Sequence, residues 1–268
     1  MKRLYSMAYL TANGAGPVES VELAAACGFD MVSFRLLPAG GEPLADLMGD
    51  DRLLREVTAA MDATGVTMAD AEMIRLKPDT DLAAFDPFLD RIAELGAKHI
   101  LVAVDDTDEA RATDAYGRLC GRVEPYGFSA DLEFMPWTGV KTLGHARRMV
   151  EAAASPAAAV LFDTLHFDRS ASSLDDLADL PPGMMNYVQI CDGPVPYDPS
   201  DAGLIHVARQ ARLIPGDGGI DFAPIVARLP EGITVSVEVP NRPQAEAMGL
   251  ERFVRTALER TKAVMGDA

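Results

Sequence analysis

Four apolar runs of the chain each hold one polar side chain at or near their end, and all four types can bind a metal or move a proton. These residues are Glu133, Asp163, Gln189 and Glu238. An unpaired charge inside an apolar strand is costly, so the acidic members need either a partner or a role. If the runs are successive strands of one sheet, their side chains converge at one edge. The pattern therefore predicts a polar site built by neighbouring strands.

The predicted site contains three carboxylates, which repel one another and take up protons unless a cation neutralises them. All its donors are oxygen atoms, because the fourth residue, Gln189, contributes an amide. Oxygen donors favour a hard ion, so we expect one divalent metal, with Mn²⁺ or Mg²⁺ preferred and Co²⁺ or Zn²⁺ as further options. For each residue taken singly, the alternative is a strand-end side chain held by a helix N-terminus or an arginine.

Three further residues are candidates for the same site because of their positions in the sequence. Glu72 ends the third β run, Arg35 follows the second, and Trp137 comes four residues after Glu133. We expect Glu72 to line the site, Arg35 to hold a substrate carboxylate or phosphate, and Trp137 to form a wall of the pocket. The alternatives are an ion pair between Glu72 and an arginine, an ordinary surface ion pair for Arg35, and packing under a loop for Trp137.

The elements that must position these residues show a repeated junction, where a helical pattern ends at a glycine and a β-rich run follows at once. The glycines are Gly28, Gly65, Gly96 and Gly127. A helix often ends at a residue in the left-handed conformation, which glycine adopts at the least cost. Their spacing of roughly 30 residues is the size of one βα unit.

The predicted strands are continuous apolar runs rather than alternating ones, which is typical of parallel strands covered on both faces. A chain of 268 residues divides into eight units of the size that a (β/α)8 barrel needs, and in that fold the active site lies at the C-terminal strand ends. We therefore predict an α/β fold, a single (β/α)8 TIM barrel forming one domain over 1–268, with a long loop at about 192–219 after the seventh strand. A doubly wound sheet is the alternative, but the glycine-rich turn typical of its first strand is absent. The eight predicted strands cover about 3–10, 30–37, 66–74, 99–105, 128–135, 157–163, 185–191 and 233–239.

Composition and charge exclude several classes of protein. The chain has 24 Lys+Arg against 41 Asp+Glu and a formal net charge of −17, so it repels a phosphate backbone and we expect no nucleic acid partner. No apolar stretch is long enough to cross a bilayer, so we expect no membrane association. Three widely spaced cysteines favour a reducing compartment. We predict a cytoplasmic protein that acts on a small molecule, either as a monomer or as a homo-oligomer.

The order of motifs along the chain resembles one family, the xylose-isomerase-like TIM-barrel superfamily. The motifs are Leu132-Glu133, Phe162-Asp163-Thr164-Leu165-His166, Val188-Gln189-Ile190-Cys191-Asp192, Arg212-Leu213-Ile214-Pro215-Gly216-Asp217-Gly218 and Val237-Glu238. That group includes sugar phosphate isomerases and epimerases, hydroxypyruvate isomerases, ketose 3-epimerases, and inosose and 3-dehydroshikimate dehydratases. The resemblance implies that the four strand-end residues bind the metal, and that His166 and Arg212 contact substrate oxygens.

The resemblance also implies a reaction at a small hydroxy-carbonyl substrate. A metal that polarises the carbonyl acidifies the neighbouring C–H, and Glu133 and Glu238 would remove and return the proton through an enediolate. Return to the other carbon or to the opposite face gives an isomerase or epimerase of a small sugar, sugar phosphate or hydroxy-carbonyl acid, which is the leading expectation. Loss of a β-hydroxyl instead gives a dehydratase of the 3-dehydroshikimate or inosose type.

The sequence departs from the ketose 3-epimerases at two places. Those enzymes carry Asn-Arg shortly after the first Glu, where this chain has Phe134-Met135-Pro136-Trp137. Arg212 follows Gln189 by about two dozen residues, more than in the epimerases, so its position depends on how the loop folds back. A DNA-repair endonuclease on the same barrel is disfavoured by the four histidines and the negative charge. A non-catalytic barrel, with strand-end acids that bind no metal, also stays open.

Overall fold

Residues 2–39, 44–181 and 183–267, which the computed structural model describes, form a closed barrel of eight parallel strands. Each strand pairs with the next one along the chain, and the first pairs with the eighth. The predicted (β/α)8 TIM barrel is confirmed. The strands are β1 Tyr5–Met7, β2 Met31–Arg35, β3 Thr67–Leu76, β4 His99–Val104, β5 Ser129–Glu133, β6 Ala158–Asp163, β7 Tyr187–Ile190 and β8 Thr234–Val237.

Helices connect the strands and cover the outside of the barrel. No helix within the described ranges is both long and apolar enough to cross a membrane. Those ranges contain α1 Pro17–Cys27, α2 Asp51–Thr64, α3 Asp86–Glu94, α4 Glu109–Val123, α5 Leu143–Ala153, α6 Thr164–Arg169, α7 Leu174–Ala178, α8 Asp201–Gln210, α9 Phe222–Val226, α10 Arg242–Met248 and α11 Leu250–Met265.

The junctions predicted from the glycine pattern are present. Helix α1 ends at Gly28 with φ of 90°, and helix α2 ends at Gly65 with φ of 76°. Both values lie in the left-handed region, where a side chain would be strained. The chain therefore leaves each helix in the direction that starts the next strand.

Strand β1 is shorter than the predicted run 3–10, because a 3-10 helix, Tyr9–Ala12, begins two residues after it. Thr11 holds this turn over the C-terminal end of the barrel. Its hydroxyl donates to the Val237 carbonyl oxygen at 2.7 Å and accepts from the Val239 amide at 2.8 Å. Tyr9 and Leu10, which were expected in the first strand, therefore lie in a turn beside the barrel mouth.

The interior of the barrel carries two layers of polar side chains. Along a strand, residues two positions apart face the same side, so each polar residue at a strand end has an inward-facing neighbour below it. We call the upper set the site layer; it consists of Arg35, Glu72, Glu133, Asp163, Gln189 and Glu238. The set below it is the lower layer; it consists of Ser6, Ser33, Asp70, Asp131, Tyr187 and Ser236, all of them buried. The residues between them along the strands, such as Phe34, Leu132 and Val237, belong to the apolar core under the helices.

The long segment after β7 is held together by one buried carboxylate. Oδ1 of Asp192 accepts from the amides of Gly193 and Ile220, and Oδ2 accepts from those of Gly216 and Gly218, at 2.8 to 3.0 Å. Helix α8, Asp201–Gln210, lies within this segment. The division of the chain into one domain with a loop at 192–219 stays a prediction.

Candidate functional site

A cavity of about 830 Å³ opens at the C-terminal ends of the strands, where a barrel enzyme has its active site. Seven of the nine predicted site residues line it, and the other two, Asp163 and Gln189, are fully buried beside them. The lining residues among the nine are Arg35, Glu72, Glu133, Trp137, His166, Arg212 and Glu238. The structure therefore brings the whole predicted set to one place.

Arg212 joins two of the predicted metal ligands. Its Nη1 lies 2.5 Å from Oδ2 of Asp163, and its Nη2 lies 2.7 Å from Oε2 of Glu238. All three side chains are almost completely buried. The guanidinium fork therefore fixes the distance and orientation of the two carboxylates, one at the end of β6 and the other on the residue after β8.

The long segment after β7 places Arg212 in this position. The residue that follows it, Leu213, bridges to Asp192 in an antiparallel pair, which returns the chain to the barrel mouth. The Asn241 side chain donates to the Arg212 carbonyl oxygen at 2.9 Å, and Arg212 Nε donates to the Ala208 carbonyl oxygen at 2.8 Å. These contacts explain how a residue so far from Gln189 in sequence reaches the site.

His166 lies beside Glu133, with 3.4 Å between its Nε2 and Oε1 of the glutamate. Asp163 caps helix α6, and its Oδ1 accepts from the amides of Leu165 and His166 at 2.7 and 3.0 Å. The indole ring of Trp137 stands edge-on to the imidazole, with 5.1 Å between the ring centroids. Helix α6 therefore begins at one site residue and presents the next, with Trp137 as a wall.

Two buried oxygen atoms of the site layer have no hydrogen-bond partner in the structure. Gln189 donates its Nε2 to Oε1 of Glu238 at 3.2 Å, which leaves the Gln189 amide oxygen unpartnered. Glu72 accepts from Arg35 at 2.5 Å through Oε2, and its Oε1 is unpartnered. Arg35 also lies over the Tyr9 ring, 4.9 Å from its centroid. Buried acceptors are normally satisfied, so each of these atoms calls for a water molecule, an ion or a ligand.

The electrostatics of the site follow from burial and from the two arginines. Burial raises the pKa of Glu238 well above its usual range; Arg212 opposes this, and Glu72 and Glu133 add to it. Burial also raises the pKa of Glu72, against the effect of Arg35. Burial by itself would raise the pKa of Asp163, but Arg212 and His166 bring it below the usual value.

The residues present fit a divalent cation. Four buried carboxylates, those of Glu72, Glu133, Asp163 and Glu238, share the site with the guanidinium groups of Arg35 and Arg212, so a bound cation would offset the negative charge of the full set once ionised. Glu133, Asp163 and His166 each offer one ligand atom, and these atoms lie within 4.8 Å of one another. The unpartnered amide oxygen of Gln189 is a further hard donor. His166, expected to contact the substrate, is thus also within reach of a metal.

The cavity residues missed by reasoning from the sequence include three charged ones, Arg209, Arg242 and Glu246. Arg242 begins helix α10, four residues after Glu238, and its place shortly after the eighth strand is a signal that could have found it. Arg209 lies on helix α8, where nothing in the local sequence points to the cavity. Arg75, near the end of the third strand, also lines the cavity and pairs with Asp105 at 2.5 Å.

The family of the chain follows from this fold and this arrangement of strand-end residues. The model of the family described as xylose isomerase-like TIM barrel matches residues 21–262. The chain therefore belongs to that family.

Curated relatives give the class of enzyme. The inosose isomerase of Bacillus velezensis is 27% identical over 198 residues, which cover 69% of this chain and 68% of that protein. The inosose isomerase of Bacillus licheniformis is 26% identical over 194 residues, covering 68% and 67%. The chain is an enzyme of the sugar isomerase or epimerase type.

Solved structures share the fold over nearly the whole length. The crystal structure of the IOLI protein with a binding zinc atom has a TM-score of 0.82 at 20% identity, covering 99% of this chain and 98% of that one. The D-allulose 3-epimerase from Methylomonas sp. in complex with D-allulose has a TM-score of 0.72 at 17% identity, covering 98% of each chain. At these identities the likeness concerns the barrel itself.

Proposed function

We propose that this enzyme is a divalent-metal-dependent isomerase or epimerase of a small hydroxy-carbonyl compound, working through an enediolate. One observation carries the proposal: two buried glutamates, Glu133 and Glu238, face the same cavity from strands β5 and β8. These strands are three places apart in a ring of eight, so the two carboxylates approach a bound substrate from different sides. That arrangement suits removal of a proton at one position and its return at another.

Glu133, Asp163, Gln189 and Glu238 are the proposed metal ligands, with Mn²⁺ or Mg²⁺ as the preferred ion. The excess of buried carboxylates and the unpartnered Gln189 oxygen support this set. When bound, the ion would polarise the substrate carbonyl and acidify the adjacent C–H.

The other side chains hold the substrate and the catalytic pair. Glu133 and Glu238 remove and return the proton at the carbons beside the carbonyl. Arg212 keeps Glu238 oriented through its 2.7 Å ion pair, and His166, 3.4 Å from Glu133, donates to a substrate oxygen. Trp137 excludes water from one side of the imidazole.

The hydroxyl groups of the substrate are assigned to the opposite wall of the cavity. The unpartnered Oε1 of Glu72 accepts from a substrate hydroxyl, and Arg35 orients Glu72 through its 2.5 Å ion pair. The two residues are register partners on neighbouring strands, Arg35 at the end of β2 and Glu72 four residues before the end of β3. The two walls together hold the substrate between the catalytic glutamates.

A dehydratase of the 3-dehydroshikimate or inosose type is the second candidate, and the position of His166 favours it. Dehydration needs a base for the C–H and an acid for the departing β-hydroxyl. The imidazole beside Glu133 supplies a third group that can carry a proton, besides the two glutamates. The same site could therefore eliminate water where the substrate offers a β-hydroxyl.

A cytoplasmic location stays a proposal. It is supported by Cys27, Cys120 and Cys191, which are all free and buried, as suits a reducing compartment. The mass of the protein in solution distinguishes a monomer from a homo-oligomer.

Metal content tests the proposed ligands. The protein would be incubated with Mn²⁺, desalted and analysed by mass spectrometry, beside Glu133→Gln and Asp163→Asn. We expect about one ion per chain in the parent and clear loss in both variants, because each removes a charged ligand. Asp217→Asn is the matched control, since Asp217 lies outside the cavity lining and pairs with Arg260. A parent chain that retains no ion would remove the metal from the proposal.

The reaction itself is tested by NMR in D2O with the Mn²⁺-loaded protein, using an inosose and a free ketose. Deuterium at a carbon next to the carbonyl, without loss of water, supports the isomerase or epimerase. A new carbon–carbon double bond conjugated with the carbonyl supports the dehydratase. If neither product forms although the metal is bound, both proposed reactions on an inosose or a free ketose are overturned.

A further inference from the structure

The last part of the long segment after β7 lies between the extensions of two neighbouring strands. Strands β7 and β8 stay together as far as Glu238, whose amide donates to the Ile190 carbonyl oxygen at 3.1 Å. Beyond that point the chain at 212–213 lies between them. It forms backbone hydrogen bonds with Asp192 on one side and with Pro240 on the other. The long segment therefore separates the two strand extensions at the mouth of the barrel.

The two residues of this insertion form their hydrogen bonds in opposite directions. Leu213 both donates to and accepts from the backbone of Asp192, at 2.9 Å in each case. The Arg212 amide donates to the Pro240 carbonyl oxygen at 3.3 Å, and the Arg212 carbonyl oxygen accepts from Nδ2 of Asn241 at 2.9 Å. The Asn241 side chain thus supplies the donor that a neighbouring strand would supply from its backbone in a sheet. On the β8 side, the backbone of Arg212 therefore depends on a side chain.

Asn241 is itself held in place by contacts that do not involve Arg212. Its amide donates to Oδ1 of Asn13 at 3.0 Å, and its Oδ1 caps helix α10 by accepting from the Gln244 amide at 3.1 Å. Asn13 ends the turn after β1 with φ of 50°, a left-handed conformation that asparagine tolerates better than most residues. Its Nδ2 donates to the Thr11 carbonyl oxygen at 2.8 Å. Asn241 therefore connects the turn after β1 and helix α10 to the long segment.

We propose that Asn241 is a positioning residue that acts through the backbone of Arg212. By fixing Arg212, it keeps the Asp163 and Glu238 carboxylates in the arrangement that the metal requires. This inference rests on the proposed function, since it concerns two of the proposed metal ligands. The guanidinium group lies 2.5 and 2.7 Å from these two carboxylates in a closely packed interior, so a shift of the Arg212 backbone must change both contacts. Although Asn241 lines the cavity, its Oδ1 and Nδ2 are both engaged within the protein.

Two variants separate the contact with Arg212 from the capping of helix α10. Asn241→Asp keeps an oxygen that can accept from the Gln244 amide, so the cap remains, but it has no N–H for the Arg212 carbonyl oxygen. Asn241→Ala removes both contacts. The matched control is Thr142→Ala, because Thr142 is also half-buried and caps helix α5 by accepting from the His145 amide at 3.2 Å, but does not line the cavity.

The first measurement is the dissociation constant of Mn²⁺ by calorimetry. We expect both Asn241 variants to bind the ion about threefold to tenfold more weakly, because Asn241 is one contact further out than the residues whose loss costs 10- to 100-fold in metal affinity. Thr142→Ala should bind it like the parent. The direction is informative for Asn241→Asp, since an added negative charge by itself would strengthen cation binding. Unchanged or tighter binding by Asn241→Asp, or an equal loss in Thr142→Ala, overturns the inference.

The second measurement observes Arg212 directly in the metal-free protein. Its buried Nε–H donates to the Ala208 carbonyl oxygen at 2.8 Å, so the proton should exchange slowly with water and give a resolved NMR signal, identified by its absence from Arg212→Lys. We expect this signal to shift in both Asn241 variants, and its exchange with water to become about fivefold faster, in line with the loss of one hydrogen bond. Thr142→Ala should leave the signal unchanged. A parent-like signal in both Asn241 variants overturns the inference.

The failure of this inference differs from the failure of the proposed function. If the parent binds no Mn²⁺, the metal is removed from the proposed function, and the Arg212 signal alone decides whether Asn241 holds Arg212. If the parent binds Mn²⁺, the inference requires both the weaker binding and the altered signal. Binding and a signal that stay like those of the parent in the Asn241 variants keep the proposed metal site and remove the role of Asn241.

Discussion

The two polar layers inside the barrel are built from the same strands but solve the burial of charge in different ways. In the site layer, Arg212 and Arg35 pair with three carboxylates at 2.5 to 2.7 Å. In the lower layer, Asp70 accepts from the Ser33 hydroxyl at 2.5 Å, and its Oδ2 has no partner. Burial and the nearby Glu72 raise the pKa of Asp70 well above its usual value. In the site layer, Arg212 and Arg35 thus oppose the effect of burial on the pKa of the carboxylates, whereas at Asp70 the neighbouring Glu72 adds to that effect.

The two layers differ because only the site layer lies at the C-terminal ends of the strands, next to the connecting segments. Arg212 comes from the long segment after β7, and Arg35 from the end of β2, so both enter at the C-terminal ends of the strands. The lower layer is closed above by the site layer, whose carboxylates Glu72, Asp163 and Glu238 form the ion pairs with these two arginines. Asp131 in the lower layer accepts from the Asn186 side chain at 2.9 Å and from the Ser129 hydroxyl, and its Oδ2 lies 3.7 Å from Nδ1 of His99. The ion pairs of Arg35 and Arg212 therefore lie in the layer at the C-terminal ends of the strands.

The largest expected effect is a loss of activity on substitution in the site layer but not in the lower layer. Glu238→Gln keeps the shape of the side chain but cannot take up or release a proton, so deuterium exchange should fall by about 10²- to 10⁴-fold. Ser236→Ala, two residues earlier on the same face of β8, should change the rate less than about threefold because it lies outside the proposed chemistry. Exchange rates measured by NMR with the Mn²⁺-loaded proteins check both. A similar loss in both variants would contradict the separation.

The next effect concerns stability. Arg212→Met leaves the Asp163 and Glu238 carboxylates buried without their cation, which should cost about 3–5 kcal/mol in the free energy of unfolding. Urea denaturation of the metal-free proteins measures it. Arg260→Met is the control, since Arg260 pairs with Asp217 at the surface and should cost less than about 1 kcal/mol. Equal costs would mean that the buried network is no more important for stability than a surface ion pair.

A smaller effect is a dependence on pH that belongs to the lower layer. Because the pKa of Asp70 is raised in the folded state, the native protein holds a proton that the unfolded chain releases above about pH 4. This contribution to stability therefore decreases as the pH rises, by up to about 1.4 kcal/mol per pH unit, until the folded pKa is passed. Asp70→Asn mimics the neutral acid, so its stability relative to the parent should increase between about pH 5 and pH 8 in urea titrations.

The control for this dependence has the opposite sign. Arg122 lowers the pKa of Asp86 through hydrogen bonds, so Asp86 stabilises the fold above about pH 4 and loses that effect as the pH falls. The stability of Asp86→Asn relative to the parent should therefore be lower at neutral pH and recover in acid. If Asp70→Asn followed the same direction, Asp70 would be charged and the two layers would be alike.

The smallest effect is expected for the unpartnered hydroxyl of the lower layer. Ser236 Oγ is fully buried and has no hydrogen-bond partner in the structure. Ser236→Ala removes a polar group that gains nothing from burial, so the free energy of unfolding should stay the same or rise by up to about 1 kcal/mol. A loss of more than that amount would show that the hydroxyl has a partner, such as an ordered water molecule.

The barrel and the strand-end residues could be predicted from the sequence because they depend on local patterns. The apolar run 157–163 became β6, Ala158–Asp163, with Asp163 at its end. Parallel strands end at the same edge of a closed sheet, so a residue such as Glu133 or Glu238 can be assigned to the mouth from its strand alone. The roles of these residues in metal binding and catalysis stay proposals.

Only the tertiary structure decided where Arg212 lies and that His166 contacts Glu133. It also decided that Arg209 and Arg242 line the cavity and that a lower polar layer exists. Arg212 reaches Asp163 because Asp192 ties the long segment back onto the barrel, and no local pattern encodes that return. The state of Asp70 depends on burial by strands far apart in sequence. Local periodicity determines which side chains point inward, but their partners and charges depend on long-range contacts that exist only once the barrel has closed.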